Sequence, residues 1–434
     1  MTEAFDVVVV GAGPAGLAAA VTAAERGMRV CLIDDNPGPG GQIWRGSVGK
    51  ETTNPAAARW LQRLHESRVE VRSGWRAVAA QASPCLRVER DGDCVDLAYS
   101  ALILATGARE LFLPFPGWTL PGVYGAGGLQ AFVKSGLDIS GKRVVIAGTG
   151  LLLLAVAASM RKAGARIVTV VEQAPMSRLI RFSLGLAFGH AGKLIEGAGY
   201  AARTLGVPWR TGSWIASASG GDHLSQVKIV SHSRTIEVEA DILAIGYHLI
   251  PNTELPQLLG CDLEQGFVCV DPMQQTTVKN VYCVGEATGI GGVDKAEIEG
   301  RIAGLAASGQ IDKAKTLIGP RDRQAHFVRN LKDAFALRDE LRALASDETV
   351  VCRCEDVPHA ALTACHSWRE AKLHTRCGMG PCQGRICAPA TQFLYGWNPP
   401  HPRPPLFPVE VATLAGTPIA EHADNQAAAH AADA

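Results

Sequence analysis

The chain begins with an apolar segment whose pattern changes twice. Residues 7–24 carry no charged side chain, and the run opens as a continuous β-branched stretch. Such a stretch is typical of a central parallel strand that is buried on both faces. A turn with glycine and proline and then an alanine-rich helix follow, and Glu3 and Asp6 precede the run instead of basic residues. The pattern therefore predicts a buried strand, turn and helix, and excludes a signal peptide or a spanning helix.

The same pattern occurs a second time at residues 142–172. An apolar strand at 144–147 leads through a glycine turn into an apolar helix, and a further strand ends at Glu172. Residues 281–308 are interpreted as a return to the first block. An internal duplication of a strand–turn–helix–strand unit predicts the α/β class, with two Rossmann-like dinucleotide-binding domains built on parallel sheets.

The rest of the chain has other patterns. Residues 312–345 place Lys, Arg, Asp and Leu at helical spacing, a cysteine-rich stretch follows, and the tail is Pro-rich and finally Ala-rich. The Pro-rich part is expected to be extended and the Ala-rich end disordered. The predicted organisation is a first nucleotide-binding domain split between 1–117 and 252–310, a second one at 118–251, a helical linker at 311–347, a small C-terminal cysteine module at 348–392 and a tail at 393–434.

Composition narrows the choice of function. Hydrophobic residues make up 47% of the 434 residues and charged residues 19%, which is enough apolar material for a sizeable core. Forty-two basic side chains balance forty-two acidic ones, so nothing draws the chain to phosphate backbones or anionic lipid. We therefore expect no nucleic-acid partner, at most indirect membrane contact, and a cytoplasmic location.

The first glycine turn carries the signature of a dinucleotide site. Gly11 permits the tight turn, Gly13 lets a pyrophosphate approach the backbone, and Gly16 lets the helix pack closely on the strand. The helix N-terminus then faces the phosphates. Asp34 ends the next strand eighteen residues after Gly16, where a carboxylate can accept hydrogen bonds from ribose hydroxyls. The candidate cofactor-binding residues of this site are Gly11, Gly13, Pro14, Ala15, Gly16, Asp34, Asp35, Gly41, Gln42, Thr106, Gly107, Gly285 and Glu286.

The second glycine turn departs from this signature. Gly148 and Gly150 follow the strand, but Leu153 occupies the third glycine position and is expected to push the helix away or to crowd the phosphates. Glu172 is placed to hold a ribose and disfavours a 2′-phosphate, so NADPH is not expected. Gly148, Gly150 and Glu172 are candidate binding residues, and three alternatives stay open: NADH, another adenine nucleotide such as ATP, or an empty structural domain.

Six of the twelve cysteines fall between residues 352 and 387. In a cytosolic chain such a cluster indicates a metal site and not disulfides. Four thiolates on two short loops can hold a [2Fe–2S] cluster, whereas a Cys-x-Cys pair fits the hairpins of a zinc ribbon poorly. Zinc, or no metal, are the alternatives.

Taken together, the motifs of the first site resemble those of two-domain flavoprotein reductases of the thioredoxin reductase type. The resemblance is carried by the first glycine turn, residues 40–42, residues 102–109 and the late Gly285-Glu286 pair. It implies FAD in the first domain, with that late pair on the flavin ribityl chain, where the family usually has Asp in place of Glu286. Residues 125–172 and the stretch after Gln42 lack cysteine, so no dithiol of the reductase kind is expected.

The cysteine module resembles the bacterioferritin-associated ferredoxin-like module. That resemblance assigns Cys352, Cys354, Cys382 and Cys387 as the ligands of a [2Fe–2S] cluster. Cys377 is a fifth candidate, at a position where relatives often have a non-ligand. Cys365 lies in a helical stretch and is interpreted as a core residue.

Nearly the whole chain resembles the larger FAD subunit of heteromeric amine and imino-acid dehydrogenases, a group that includes opine oxidase, D-hydroxyproline dehydrogenase and hydrogen cyanide synthase. Residues 40–45, 125–130, 148–155, 189–193 and 403–408 carry this resemblance. It implies that a second flavoprotein subunit of amine-oxidase type oxidises the substrate, that a small ferredoxin-like subunit is present, and that this chain transfers electrons. We assign no catalytic residue: His190 with Lys193, and Tyr247 with His248, are not assigned a role. The alternatives are a self-sufficient NADH:acceptor oxidoreductase and a mainly structural nucleotide-binding subunit.

Overall fold

A computed structural model of the chain describes residues 2–45, 54–80, 84–187, 191–232, 234–399 and 401–415. Gly189, His190 and the Ala-rich end of the tail lie outside these residues. The strands are β1 (Thr2–Val10), β2 (Val30–Asp34), β3 (Glu70–Ser73), β4 (Arg76–Ala80), β5 (Cys85–Arg90), β6 (Asp93–Leu104), β7 (Ala108–Glu110), β8 (Val123–Gly125), β9 (Arg143–Gly148), β10 (Arg166–Glu172), β11 (Trp209–Thr211), β12 (Ser213–Gly220), β13 (Leu224–Ser231), β14 (Arg234–Glu239), β15 (Ile242–Gly246), β16 (Leu249–Pro251), β17 (Leu263–Glu264), β18 (Phe267–Val268), β19 (Val281–Cys283), β20 (Val350–Cys352) and β21 (Val357–Pro358).

The helices alternate with these strands in the nucleotide domains and follow them in the C-terminal third. They are α1 (Pro14–Ala24), α2 (Pro55–Glu66), α3 (Ala126–Lys134), α4 (Leu152–Lys162), α5 (Met176–Ala187), α6 (Ala191–Arg203), α7 (Glu254–Leu258), α8 (Val293–Ala307), α9 (Ile311–Lys315), α10 (Ile318–Ala334), α11 (His359–Thr363), α12 (Trp368–Thr375), α13 (Cys387–Tyr395) and α14 (Val411–Ala415), with 3₁₀ turns at Gly285–Thr288 and Asp339–Ala343.

The first sheet has the strand order β3-β2-β1-β6-β5-β4, and β19 pairs with the C-terminal half of β6. Strands β1, β2, β3, β6 and β19 are parallel, so their carboxyl ends meet at one edge, whereas β4 and β5 form an antiparallel hairpin. Helices α1 and α8 cover one face together. They approach closely because α8 has a glycine at their contact: a Cβ on Gly300 would lie 2.1 Å from the carbonyl oxygen of Ala15.

The second sheet has the all-parallel order β11-β10-β9-β15-β8. An antiparallel three-stranded sheet, β12-β13-β14, packs against it through a shared apolar cluster. The chain crosses between the two domains twice, and the crossings pair as the antiparallel strands β7 and β16. The predicted α/β class with two Rossmann-type sheets is confirmed.

The C-terminal segments lie against both nucleotide domains. The cysteine module contacts the second domain, where Trp118 Nε1 donates to the carbonyl oxygen of Val350 at 2.6 Å. The Pro-rich tail runs along the first domain, with the Leu406 amide donating to Val78 O at 2.8 Å. Among the described residues, no helix is both long enough and apolar enough to cross a membrane.

Candidate functional site

The first glycine turn links the end of β1 to α1 at the carboxyl edge of the first sheet. Gly11 has φ +104°, and a Cβ there would lie 2.2 Å from the carbonyl oxygen of Ala105, which directly follows the neighbouring strand β6. A Cβ on Gly16 would lie 1.7 Å from the carbonyl oxygen of Gly11. Any side chain at either position would collide with backbone, so the tight turn and the close helix both depend on glycine.

An open cradle lies above this turn. A Cβ on Gly13 would meet only the Cα of Gly41, at 4.0 Å, and a Cβ on Gly41 would come within 2.9 Å of the Gly13 Cα. Helix α1 starts at Pro14 without a side-chain cap. The uncapped N-terminus is a ready anion site, because its free N–H groups and the helix dipole both favour negative charge. Trp44 Nε1, which is buried beside this segment, has no partner among the residues described.

Asp34 lies at the carboxyl end of β2 and is 7% exposed. Its Oδ2 accepts from the Ala12 amide at 2.5 Å, and its Oδ1 accepts from the Asn36 amide at 2.8 Å and from Asn36 Nδ2 at 2.7 Å. A carboxylate offers about four acceptor positions, so the side chain retains capacity for a ribose hydroxyl. Asp35 and Gln42 are both exposed.

Thr106 and Gly107 lie where the chain first leaves this domain, directly opposite its return. The Thr106 hydroxyl donates to Asn252 O at 2.6 Å, and Asn252 Nδ2 donates to Thr106 O at 2.8 Å. The Asn252 amide also donates to Gly107 O at 3.0 Å. The two crossings are thereby held together next to the predicted flavin site.

The late Gly285-Glu286 pair follows β19 and lies beside the first glycine turn, since a Cβ on Gly285 would be 3.0 Å from Ala15 Cβ. Glu286 accepts from the amides of Gly291 (3.1 Å) and Gly292 (2.8 Å), and burial raises the pKa of its carboxyl. The longer Glu side chain is therefore used to hold the loop that starts α8.

A buried ion pair beneath this loop was missed from the sequence. Lys295 is 7% exposed and Glu299 3% exposed, and Lys295 Nζ lies 2.8 Å from Glu299 Oε1. Lys295 Nζ also donates to Gly285 O at 3.0 Å, and Glu299 Oε2 accepts from the Gly285 amide at 2.8 Å. The available signal was a Lys and a Glu at i and i+4 in α8, but this helix also carries Asp294, Glu297 and Arg301, and such pairs are usually solvated.

These features fit FAD. The first site combines an open glycine cradle, an uncapped helix N-terminus, a ribose-competent carboxylate and a late glycine–acid pair in one place. Each candidate residue of the first site lies along this edge of the first sheet or in the loops that border it.

The second glycine turn is closed over its own carboxylate. A Cβ on Gly148 would lie 1.8 Å from Gly246 O, while Gly150 has φ +101° and open space around it. Glu172, 3% exposed, accepts from Thr149 Oγ1 at 2.6 Å and from the Gly150 and Ala174 amides at 2.8 Å each. Burial raises the pKa of Glu172 to about 7 in spite of these bonds.

Leu153 and Gln173 pack next to the second glycine turn. Leu153 is fully buried between α4 and the sheet, in the position that Gly16 has in the first domain. Gln173 Nε2 donates to Ala336 O at 3.2 Å and Gln173 Oε1 accepts from the Arg338 amide at 3.1 Å, so the segment after α10 is bonded to the end of β10. The turn is thus occupied by the protein's own groups on the side where Glu172 was predicted to hold a ribose.

Four of the six cysteines in the module line one cavity of about 330 Å³. All four predicted ligands line it, together with Trp118 of the second domain and Phe112, which precedes the predicted boundary of that domain; these ligands are Cys352, Cys354, Cys382 and Cys387. The sulfur atoms of Cys352, Cys377 and Cys387 lie within 4.8 Å of one another. Cys377, the fifth candidate, is fully buried and is a neighbour of two of the four predicted ligands.

The electrostatics favour thiolate at the centre of this group. The pKa of Cys352 is lowered because Cys377 and Cys387 donate hydrogen bonds to its sulfur, with further bonds from the Gly378 and Glu355 amides. The same hydrogen bonds to Cys352 raise the pKa of Cys377 and of Cys387. Thiolate ligands with backbone N–H donors around the sulfurs fit an iron–sulfur cluster or another thiophilic metal.

Comparison with known proteins agrees with this geometry. The sequence profile described as pyridine nucleotide-disulphide oxidoreductase matches residues 5–300. A relative in Rhizobium meliloti (strain 1021), one of the subunits of opine oxidase, is 37% identical over 423 residues, covering 88% of this chain and 90% of the relative. Hydrogen cyanide synthase subunit HcnB of Pseudomonas protegens is 33% identical over 424 residues, with coverage of 88% and 90%.

A solved structure shows the same fold. L-proline dehydrogenase from P. horikoshii superposes with a TM-score of 0.67 at 17% sequence identity, covering 95% of this chain and 80% of that one. Both relatives are named as subunits of their enzymes. The chain therefore belongs to the pyridine nucleotide-disulphide oxidoreductase family, as a flavin-dependent oxidoreductase in the group that contains the opine oxidase and hydrogen cyanide synthase subunits.

Proposed function

We propose that this chain is the FAD- and [2Fe–2S]-carrying electron-transfer subunit of a heteromeric dehydrogenase that oxidises a secondary amine, imino acid or opine. The observation that carries the proposal is the similarity to the Rhizobium meliloti opine oxidase subunit over 88% of the chain. The cysteine cavity is lined by residues of both the module and the second nucleotide domain, which supports a redox centre built into the fold.

In this proposal the first site binds FAD, which would supply a centre able to take up an electron pair and release single electrons. Gly11, Gly13, Pro14, Ala15 and Gly16 receive the pyrophosphate at the start of α1, and Asp34 binds the adenosine ribose. Gly41, Gln42, Thr106 and Gly107 border the same cleft, and Asp35 lies at its exposed rim. Gly285 and Glu286 hold the loop that precedes α8. The free N–H groups at the N-terminus of α8 carry partial positive charge, which stabilises a negatively charged group placed near them.

The module binds the cluster through Cys352, Cys354, Cys382 and Cys387. Serine at any of these four positions should abolish or strongly perturb the electron paramagnetic resonance signal of the reduced cluster, while Cys377→Ser should leave it largely intact. Because Cys377 lies beside Cys352 and Cys387, this variant is the decisive one. If Cys377→Ser loses the cluster and Cys387→Ser keeps it, the ligand set is wrong by one cysteine. Zinc without iron in anaerobically purified protein would remove the redox role of the module.

The partners in this proposal are a second flavoprotein subunit of amine-oxidase type, which oxidises the substrate, and a small ferredoxin-like subunit, with the whole complex in the cytoplasm. The second nucleotide site, with Gly148, Gly150 and Glu172, takes ATP or NAD, or stays empty. The hydrogen bonds that Glu172 already makes, and the buried Leu153, argue against NADH as an efficient reductant.

Anaerobic reduction tests the proposal against its alternatives. NADH alone should bleach the flavin of the isolated chain slowly or not at all, whereas co-purified partner subunits together with the amine substrate should bleach it rapidly. Fast reduction by NADH alone would instead identify a self-sufficient NADH:acceptor oxidoreductase. Protein without flavin absorbance, even after incubation with FAD, would leave only a structural nucleotide-binding subunit.

A further inference from the structure

Three charged residues connect the cysteine module to the place where the chain crosses between the nucleotide domains. Arg109, on β7, donates from Nε to the carbonyl oxygen of Arg385 at 3.0 Å. The same guanidinium bonds Asn252 Oδ1 at 2.7 Å and Glu254 Oε1 at 2.8 Å. Arg385 lies inside the module, between Cys382 and Cys387. We call Arg109, Glu254 and Arg385 the arginine clamp.

Arg385 is held from several sides. Its Nη2 donates to the carbonyl oxygen of Leu406 in the tail at 2.8 Å, and its guanidinium carbon lies 4.1 Å from the ring centre of Phe407. Its Nη1 donates to Cys382 O at 3.3 Å, and its Nε lies 3.9 Å from Glu254 Oε1. Only 16% of the Arg385 side chain is exposed, so these contacts are shielded from water and from screening by salt.

The clamp joins the two predicted redox sites through a short series of bonds. On one side Asn252 is bonded to Thr106, a candidate flavin-site residue, in both directions. On the other side Arg385 contacts the backbone of Cys382, a candidate cluster ligand. Two arginines and a single carboxylate also leave one net positive charge at the contact, and a positive charge near an iron–sulfur cluster favours its reduced form.

We propose that the arginine clamp positions the cysteine loop 382–387 against the first nucleotide domain and so holds the cluster at a fixed distance from the flavin. The inference rests on the proposed function. In the step it serves, one electron passes from the reduced flavin to the oxidised cluster. Arg109, Glu254 and Arg385 are positioning residues in that step, because they act through the loop and touch neither reacting centre.

The test uses the full chain with both centres loaded, in the variants Arg385→Gln, Glu254→Gln and the double variant. Both single variants should keep flavin and iron, but cluster reduction after anaerobic flash reduction of the flavin should slow at least about tenfold. The double variant should be slower than either single one, because the two substitutions share only the Arg385–Glu254 contact at 3.9 Å and each removes further bonds of its own. Arg385→Gln should also shift the cluster midpoint potential to a more negative value, and Arg385→Lys should restore most of it.

Arg376→Gln is the matched control, since Arg376 Nε pairs with Glu355 Oε2 at 2.7 Å and both residues belong to the module. It should leave the flavin-to-cluster rate unchanged. If Arg385→Gln loses iron, the electron-transfer rate of Glu254→Gln becomes the test of the clamp, because Glu254 lies outside the cysteine loop. If the variants contain flavin and iron and have the wild-type electron-transfer rate and cluster midpoint potential, the proposed role of the clamp is wrong. The proposed function would not be affected by that result. Wild-type protein that lacks flavin or cluster after reconstitution would overturn the proposed function itself.

Discussion

The two glycine turns of this chain begin from the same strand–turn–helix pattern and reach different structures. In the first, α1 comes so close to β1 that a Cβ on Gly16 would lie 1.7 Å from Gly11 O. In the second, Leu153 fills the space between α4 and the sheet and is fully buried. One residue in the third glycine position thus decides whether a helix start touches its strand or is separated from it by a side chain.

The acidic residues at the ends of β2 and β10, Asp34 and Glu172, have different surroundings. Asp34 and Glu172 each accept a hydrogen bond from their own glycine turn. Asp34 is also bonded to Asn36, whereas Glu172 is also bonded to Thr149 and Ala174 and precedes Gln173, which bonds the segment after α10. The comparison shows that two copies of one strand–turn–helix pattern pack differently when the third glycine is replaced by leucine.

The largest effect is expected from giving the first turn the residue of the second. Gly16→Leu places a side chain against the backbone of Gly11, so α1 and β1 must separate. Overpacking against backbone costs several kcal/mol, and we expect a loss of more than about 4 kcal/mol in unfolding free energy and little soluble flavoprotein. Thermal unfolding and flavin content measure this. A variant that melts within a few degrees of wild type would show that the close contact is not needed.

Gly13→Val should separate binding from folding in the same turn. Gly13 has φ −73° and ψ −175°, which valine tolerates, and its Cβ would meet only the Gly41 Cα at 4.0 Å. The valine side chain then fills the cradle, so the protein should fold but bind FAD at least about 100-fold more weakly, about 2.7 kcal/mol. The ratio of flavin to protein absorbance, with circular dichroism for the fold, checks both parts. Full flavin occupancy would contradict the assignment of this site.

Leu153→Ala tests whether the second turn is held by packing. The side chain is fully buried, so its truncation should cost about 2–5 kcal/mol of unfolding free energy. Leu154→Ala, one position further along α4 and partly exposed, serves as the control and should cost less. Urea unfolding measures the difference. NADH affinity should not appear in Leu153→Ala, and its appearance would mean that Leu153 alone blocks the site.

Glu172→Gln should change how stability depends on pH. Burial raises the pKa of Glu172 to about 7, above the ordinary value of 4.5, so the folded protein holds a proton that the unfolded chain releases. Its stabilising contribution is therefore complete below about pH 4.5 and is lost as the pH rises to about 7, by up to about 3 kcal/mol. Unfolding measured at pH 5 and pH 8 should show this loss in the wild type and not in Glu172→Gln.

Asp241→Asn is the control for that measurement. Hydrogen bonds from Arg143 lower the pKa of Asp241 to about 2, so this carboxylate stays charged between pH 5 and pH 8. Its replacement should leave the pH dependence in that window unchanged. Equal pH dependence in the wild type and in Glu172→Gln would show that Glu172 is ionised throughout.

The sequence by itself was sufficient to predict the α/β class, the two glycine turns and the position of the cysteine module. These features are encoded in local patterns, because strand and helix periodicity and the spacing of glycines and cysteines act over a few residues. The sequence also showed that Leu153 replaces the third glycine. It did not show whether this leucine would pack between the helix and the sheet or crowd the phosphate site.

Only the tertiary structure decided how distant groups meet. It placed Cys377 beside Cys352 and Cys387, and it buried Lys295 with Glu299 under the Gly285 loop. It also joined Arg109 to Arg385, which are 276 positions apart. No local pattern encodes such contacts, because each depends on how whole domains pack and on which polar groups then lose water and need a partner.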